Sequence, residues 1–241
     1  MVGSKPVFPQ LEIELQKAQQ KSSVYGGDED EDEGHADEDD NGPVERNPDA
    51  DPTWGYYVFV TDYSATAEEH LSSAIENLMR VVQRSLTQFT VPPFSEETFR
   101  RFKLDVIQDK GALDGASDDR IREEFRAQIR GQGLVDREGD IKFTPARNMV
   151  CLVFKSATIE MLSSLVFPGD NEEDHEVFRQ NTVRAIDNCF DHSGSGDMSD
   201  YRGVGDCPIT SLPRLYMLIT SDGNSGAMED LHPINSESLE L

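Results

Sequence analysis

The chain reads as an α+β protein: a single sheet with helices packed mainly on one face, in a ferredoxin-like or split-βαβ arrangement, behind a disordered acidic N-terminal leader. Three observations predict this. Gly55–Asp62 (GYYVFVTD) and Asn148–Phe154 (NMVCLVF) are short and apolar on both faces, as strands buried inside a sheet are. Long apolar stripes at helical spacing lie between them: Leu71, Ile75, Leu78, Val82 and Leu86 in one stretch, Ile121, Phe125 and Ile129 in another. The acid is uneven. Residues 1–52 hold 15 acidic and 4 basic residues, out of 47 and 22 in all 241 residues. The division expected is a leader over 1–52, one domain over 53–221 and a loose polar tail over 222–241.

Each element follows from local chemistry. Residues 7–21 give a weak amphipathic helix with Phe8, Leu11, Leu15 and Ala18 on one side. Asp28–Asp40 (DEDEDEGHADEDD) holds ten acids in thirteen residues, a block that repels itself and stays solvated. After the first strand, Thr66 and Glu69 have the spacing of a capping box, and Pro92-Pro93 closes the helix region. Ser95–Phe102 suits a short helix, Lys103–Gln108 a strand and Gly111–Ala116 a loop. Ser117 is the expected cap of a second long helix, with Gly131 as its stop. Gln132–Asp140 is rich in turn residues, and Ile141–Phe143 suits a small edge strand. Ser156 is the expected cap of a helix bearing Ile159, Leu162 and Leu165, stopped by Pro168-Gly169. An acidic loop follows over Asp170–Glu176. Thr182–Phe190 fits a strand and also permits a helix. Asp191–Tyr201 is a Gly/Ser/Asp loop, Val204–Ile209 an edge strand that tolerates Pro208, and Ser211 the start of a short helix with Leu212, Leu215 and Leu218.

Charge narrows the partners. At a formal net charge of −25 the chain repels phosphate backbones and anionic membrane surfaces, and its densest basic cluster, Arg100-Arg101-Phe102-Lys103, is too short for a nucleic-acid stripe. No nucleic acid and no membrane are expected as partners; a basic protein reached through the acidic leader is. The longest apolar runs, Tyr56–Val60 and Met149–Phe154, fall far short of the ~20 residues of a membrane span. The opening MVGSKPVFPQLEIELQ lacks the apolar core of a secretory signal. Three cysteines without CxxC spacing fit a reducing intracellular compartment, cytoplasm or nucleus.

Templates for catalysis mostly fail. Gly131-Gln-Gly133, Gly194-Ser-Gly196 and Gly203-Val-Gly205 lack the third glycine and the strand–helix context of a dinucleotide loop, and no GxxxxGK[ST] occurs. His175 lies among Glu172, Glu173, Asp174 and Glu176, and Asp187, Asp191, His192, Asp197 and Asp200 crowd another stretch. An EF-hand frame set on Asp191 puts Arg202 where the bidentate Glu belongs. No metal and no cofactor are expected. Cys151 and Cys189 read as packing residues, although Cys189 could meet His192 three residues on in a helix. Cys207 is the thiol expected to be accessible. Asp62 and Asp105 are the carboxylates most closely framed by apolar neighbours, the setting a general acid or base needs, although hydrogen bonds from nearby amides explain them as well. Asp62 and Cys207 are therefore the catalytic candidates. Trp54 and Tyr56 are the candidates for lining a ligand or partner site, with core packing as the simpler account.

Three stretches together carry a resemblance: WGYYVFVTDYS over 54–64, ARNMVCLV over 146–153 and SLPRLY over 211–216. They resemble segments of a family of uncharacterised intracellular α+β proteins of filamentous fungi, which begin with an aromatic-Gly-aromatic strand and carry an Arg-x-x-Val-Cys-Leu-Val segment. The basic residue usual after that family's first strand is absent here, where Val60-Thr61-Asp62 stands. The resemblance implies an intracellular fungal protein, in some cases an accessory of a biosynthetic gene cluster, and carries over no catalytic residue.

Two functions are expected from these readings. The first is a non-enzymatic accessory or interaction protein acting through its acidic leader. The second is a small-molecule binder or cofactor-free enzyme of a fungal secondary-metabolite pathway, with a cleft near Trp54, Tyr56, Asp62 and Cys207.

Overall fold

The computed structural model describes residues 53–89, 94–134, 146–167, 178–190 and 202–222. The acidic leader, the strand expected at Ile141–Phe143, the stretches 170–176 and 191–201 and the tail beyond 222 lie outside the described residues.

Strand β1, Trp54–Val60, is buried along its whole length. Alternation sends Trp54, Tyr56, Val58 and Val60 to one face and Tyr57 and Phe59 to the other, and each set finds an apolar layer. Helix α1, Ala65–Phe89, and the short α2, Phe94–Arg100, lead to β2, Phe102–Ile107. A single turn, α3, Lys110–Leu113, and helix α4, Asp118–Gly131, precede the 3-10 turn Ala146–Asn148 and β3, Val150–Phe154. Then come α5, Ser156–Ser163; β4, Thr182–Asp187; β5, Val204–Pro208; a 3-10 turn at Ile209–Ser211; and α6, Leu212–Asp222.

The five strands form one mixed sheet in the order β2-β1-β3-β4-β5. β1 is parallel to both neighbours, with Val58 opposite Val106 on one side and Leu152 on the other. β4 is antiparallel to β3 and to β5. The α+β class with a single sheet is therefore the observed one. β2 and β3 flank β1 and are joined across it through α4, a split βαβ connection. The ferredoxin-like alternative does not describe the order, because both connections leaving β1 and β2 carry crossover helices, and a crossover makes neighbours parallel.

Helices α1, α5 and α6 pack on the face of Trp54, Tyr56 and Val58, with α1 lying against α5 and α6. The helices thus sit mainly on one face. The second face is covered by α4, whose Ile121, Phe125 and Ile129 join Leu113 on Tyr57, Phe59, Cys151, Val153 and Ile186. Thr182–Asp187, ambiguous in sequence, is a strand because β3 and β5 bracket it and Val183, Ala185 and Ile186 are buried there.

The ends of elements shift from the sequence reading for identifiable reasons. Ser64, not Thr66, caps α1: its Oγ accepts the Ala67 N–H at 3.2 Å and its carbonyl accepts the Glu68 N–H at 3.0 Å. The expected loop at 111–116 contains a turn of helix because Asp109 accepts the Ala112 N–H at 3.2 Å. Ser117 caps α4 as expected, accepting the Arg120 N–H at 3.3 Å. Gly131 remains helical there, and the left-handed residue that ends the helix is Gly133, at φ +74°. Ser156 is the first residue of α5 rather than its cap, which is Lys155.

Candidate functional site

Ligands of open sheets sit at the carboxyl ends of parallel strands, where neighbouring strands send their chains to opposite faces. β1 leads into α1 on one face and β2 leads into α3 and α4 on the other. The rim between and beside them carries Asp62, Tyr63, Asp109, Lys110, Lys155 and Ser156.

These groups are tied to one another. Asp62 accepts the Ser64 N–H at 2.9 Å. That bond, and then the Ser156 hydroxyl, hold its carboxyl below the usual range. The Tyr63 hydroxyl accepts the Asp109 N–H at 2.7 Å, Lys110 Nζ reaches the Tyr63 carbonyl at 3.5 Å, and the Gly115 N–H donates to the Thr61 carbonyl at 3.0 Å. Burial, with Asp109 and Asp114 nearby, raises the Tyr63 phenol. Further along, Asp118 takes a guanidinium edge from Arg184, at 3.1 Å from Nε and 2.6 Å from Nη2, while Lys155 Nζ lies 3.4 Å away. Burial opposes ionisation of Asp118, and Arg184 with Lys155 outweighs it, so its pKa is lowered. Arg184 also reaches Asp206 at 3.5 Å. A general base at neutral pH needs a carboxyl raised toward 7; Asp62 and Asp118 are shifted the other way.

Of the four sequence-predicted site residues, Trp54, Tyr56 and Cys207 share the buried layer on the α1 face, with Trp54 and Tyr56 both against Tyr216 and Cys207 near the Tyr56 phenol, while Asp62 stands apart from them. Trp54 begins β1 and Asp62 follows its end, about 25 Å away along an extended chain. Trp54 is 3% exposed, and its Nε1–H donates to the Thr98 carbonyl at 2.7 Å, between Phe102 and Tyr216. Tyr56 is fully buried, its hydroxyl donates to the Leu212 carbonyl at 2.7 Å, and burial raises the phenol well above its ordinary value. Cys207, expected to be accessible, is buried instead. Opposite Val183 on β5 its side chain turns into the core, and burial pushes the thiol up to about 12. Cys151 is buried and raised by desolvation, and half-buried Cys189 is raised by desolvation and then by Asp187, so neither is poised as a thiolate. His175 and His192 lie outside the described residues. Asp105 is held by the Arg147 guanidinium and by Lys103 Nζ at 2.8 Å, rather than by amides.

The sequence reading missed three arginines. Arg147 is 4% exposed; it donates to Asp105 and, at 3.2 Å, to Thr53 Oγ1, and lies 5.0 Å from the Tyr57 ring centroid. Arg122 donates from Nε to the Asp187 carbonyl at 2.9 Å and from Nη2 to the Gly203 carbonyl at 3.1 Å. Arg126 donates to the Asn188 carbonyl at 2.7 Å and the Phe190 carbonyl at 3.0 Å. Arg122 and Arg126 together satisfy carbonyls where β4 ends and β5 begins. The available signal was their four-residue spacing directly beside Ile121 and Phe125.

Comparison with the known protein families, with curated proteins and with solved structures finds no match. Among the described residues, no helix is long and apolar enough to cross a membrane.

Proposed function

We propose that the chain is a non-enzymatic interaction protein, in which an α+β domain carries an acidic leader to a basic protein partner. The observation behind this is the block of ten acids in Asp28–Asp40, which precedes the first strand in the sequence. It is supported by the commitments of the other candidates: Asp62 serves a turn, Cys207 is a core thiol, and Trp54 and Tyr56 hydrogen-bond inside the core. Three free cysteines support a reducing cellular interior, cytoplasm or nucleus, as its place of action.

The test keeps the full chain and converts every Asp and Glu of residues 28–40 to Asn or Gln. Titration with a lysine-rich polypeptide should show affinity falling at least ~10-fold in the neutralised chain, and falling with added salt in the natural one. Equal binding by both chains removes the leader from the reading. A bound mass of a few hundred daltons in native mass spectrometry would favour the small-molecule reading instead.

A further inference from the structure

The two edges of the sheet are built differently. β5 has the sequence VGDCP, in which glycine and proline discourage further pairing. β2 has the sequence FKLDVI, with neither glycine nor proline, and among the described residues it pairs only with β1. The Trp54 N–H donates to the Arg101 carbonyl at 3.0 Å, which fixes the direction of every group along β2. Backbone groups alternate, so those of Lys103, Asp105 and Ile107 face β1, while those of Phe102, Leu104 and Val106 face away from it. Side chains alternate as well. Phe102, Leu104 and Val106 lie on the α1 face of the sheet, and Lys103 and Asp105 on the α4 face, with Leu104 and Val106 only half-buried.

We infer that β2 is an interface for a second copy of this chain, paired edge to edge in antiparallel fashion about a two-fold axis at Leu104. The charges select this register. Outward-facing residues must meet outward-facing residues, so the axis can fall at 103, 104 or 105. An axis at 103 opposes Lys103 to its own copy, and an axis at 105 opposes Asp105 to its own copy. An axis at 104 opposes Lys103 to Asp105 twice, at the closer non-hydrogen-bonded positions, and like charges there are destabilising. The same register sets Phe102 against Val106 and Leu104 against Leu104, so the other side of the ribbon is apolar. It forms about six backbone hydrogen bonds and closes with two-fold symmetry into a ten-stranded sheet. The contact is small for an interface, so the expected dissociation constant is on the order of 1–100 µM.

Sedimentation of the full chain from ~1 to ~300 µM, at ~0.2 M salt to screen the net charge, tests this. The mass should rise from 27.0 kDa toward twice that value. The exposed Lys103 tolerates change, so Lys103→Asp should fold normally, as circular dichroism would show, and weaken association at least ~10-fold, because it opposes two aspartates. Hydrogen exchange should show the Leu104 and Val106 amides becoming protected as concentration rises, while those of Lys103 and Asp105 are protected throughout. A chain that stays monomeric at ~300 µM overturns the inference. So does a dimer that Lys103→Asp leaves unchanged, or one whose Leu104 and Val106 amides stay unprotected.

Discussion

Asp62 sits where β1 turns toward α1, and its carboxylate fixes that turn through the Ser64 amide and the Ser156 hydroxyl. Asp62→Ala should lower stability by about 1 kcal/mol, the usual cost of losing a local cap of this kind, and Asp62→Asn by less, since an amide oxygen still accepts from Ser64. Urea midpoints measure the difference. Equal losses in the two variants would mean that charge, rather than acceptance, is what the turn needs. Arg147 is the heavier residue. It holds the Asp105 carboxylate from a buried position and touches Thr53, so it ties the start of β3 to β2 and to the residue before β1. Arg147→Met should cost about 3 kcal/mol, because the Asp105 carboxylate loses its principal partner. Arg147→Lys should recover little of that, a point charge being a poor substitute for a planar fork. A loss below ~1 kcal/mol in the methionine variant would show that Lys103 suffices for Asp105.

At the scale of elements, Gly55 decides whether β1 and β2 can lie side by side. Its φ is +128°, and a Cβ there would run into the Lys103 carbonyl oxygen. Gly55→Ala should therefore destabilise by at least about 3 kcal/mol. Gly131, in the last turn of α4 with nothing near its missing Cβ, should respond oppositely, with Gly131→Ala gaining about 0.5–1 kcal/mol in a thermal melt. The contrast explains what could be read in the sequence. β1, β3, α1 and α4 were legible because each carries its own periodicity, two-faced for the strands and striped for the helices. The cap of α1 was missed because Ser64 and Thr66 both suit it, and only the Asp62–Ser64 bond separates them. Residues 182–187 resisted assignment because Val183, Ala185 and Ile186 fit both periods until β3 and β5 bracket them. Strand order was illegible for a related reason: a run apolar on both faces announces burial, not its neighbours. The accessibility of Cys207 failed likewise, since the one-residue phase of β5 that turns the thiol inward is set by its pairing with Val183.

For the whole molecule, charge sets the behaviour. Glu97 is held at about 2 by hydrogen bonds from Arg100 and then Arg101, and Asp62 and Asp118 are also shifted down. Each folded-state value lies below its unfolded one. The stability they lend is complete above the unfolded carboxylate range, near 4, and is lost as pH falls toward about 2. Melting temperatures should therefore drop below about pH 4, and Glu97→Gln should blunt that drop. The paired β2 edges add a consequence for the leaders. Thr53 precedes β1, next to β2, so a two-fold at Leu104 places the two Thr53 residues about 25 Å apart, from ~4.8 Å strand spacing and ~3.3 Å per residue. On the proposed function, two acidic leaders starting that far apart would hold one long basic chain at two places, with the second contact intramolecular. Binding of a long lysine-rich polypeptide to Lys103→Asp should be weaker than to the natural chain by ~10-fold or more, while a short one that reaches a single leader binds both alike. A long polypeptide that binds the variant and the natural chain equally would show that the leaders act singly, whatever the state of the sheet edge.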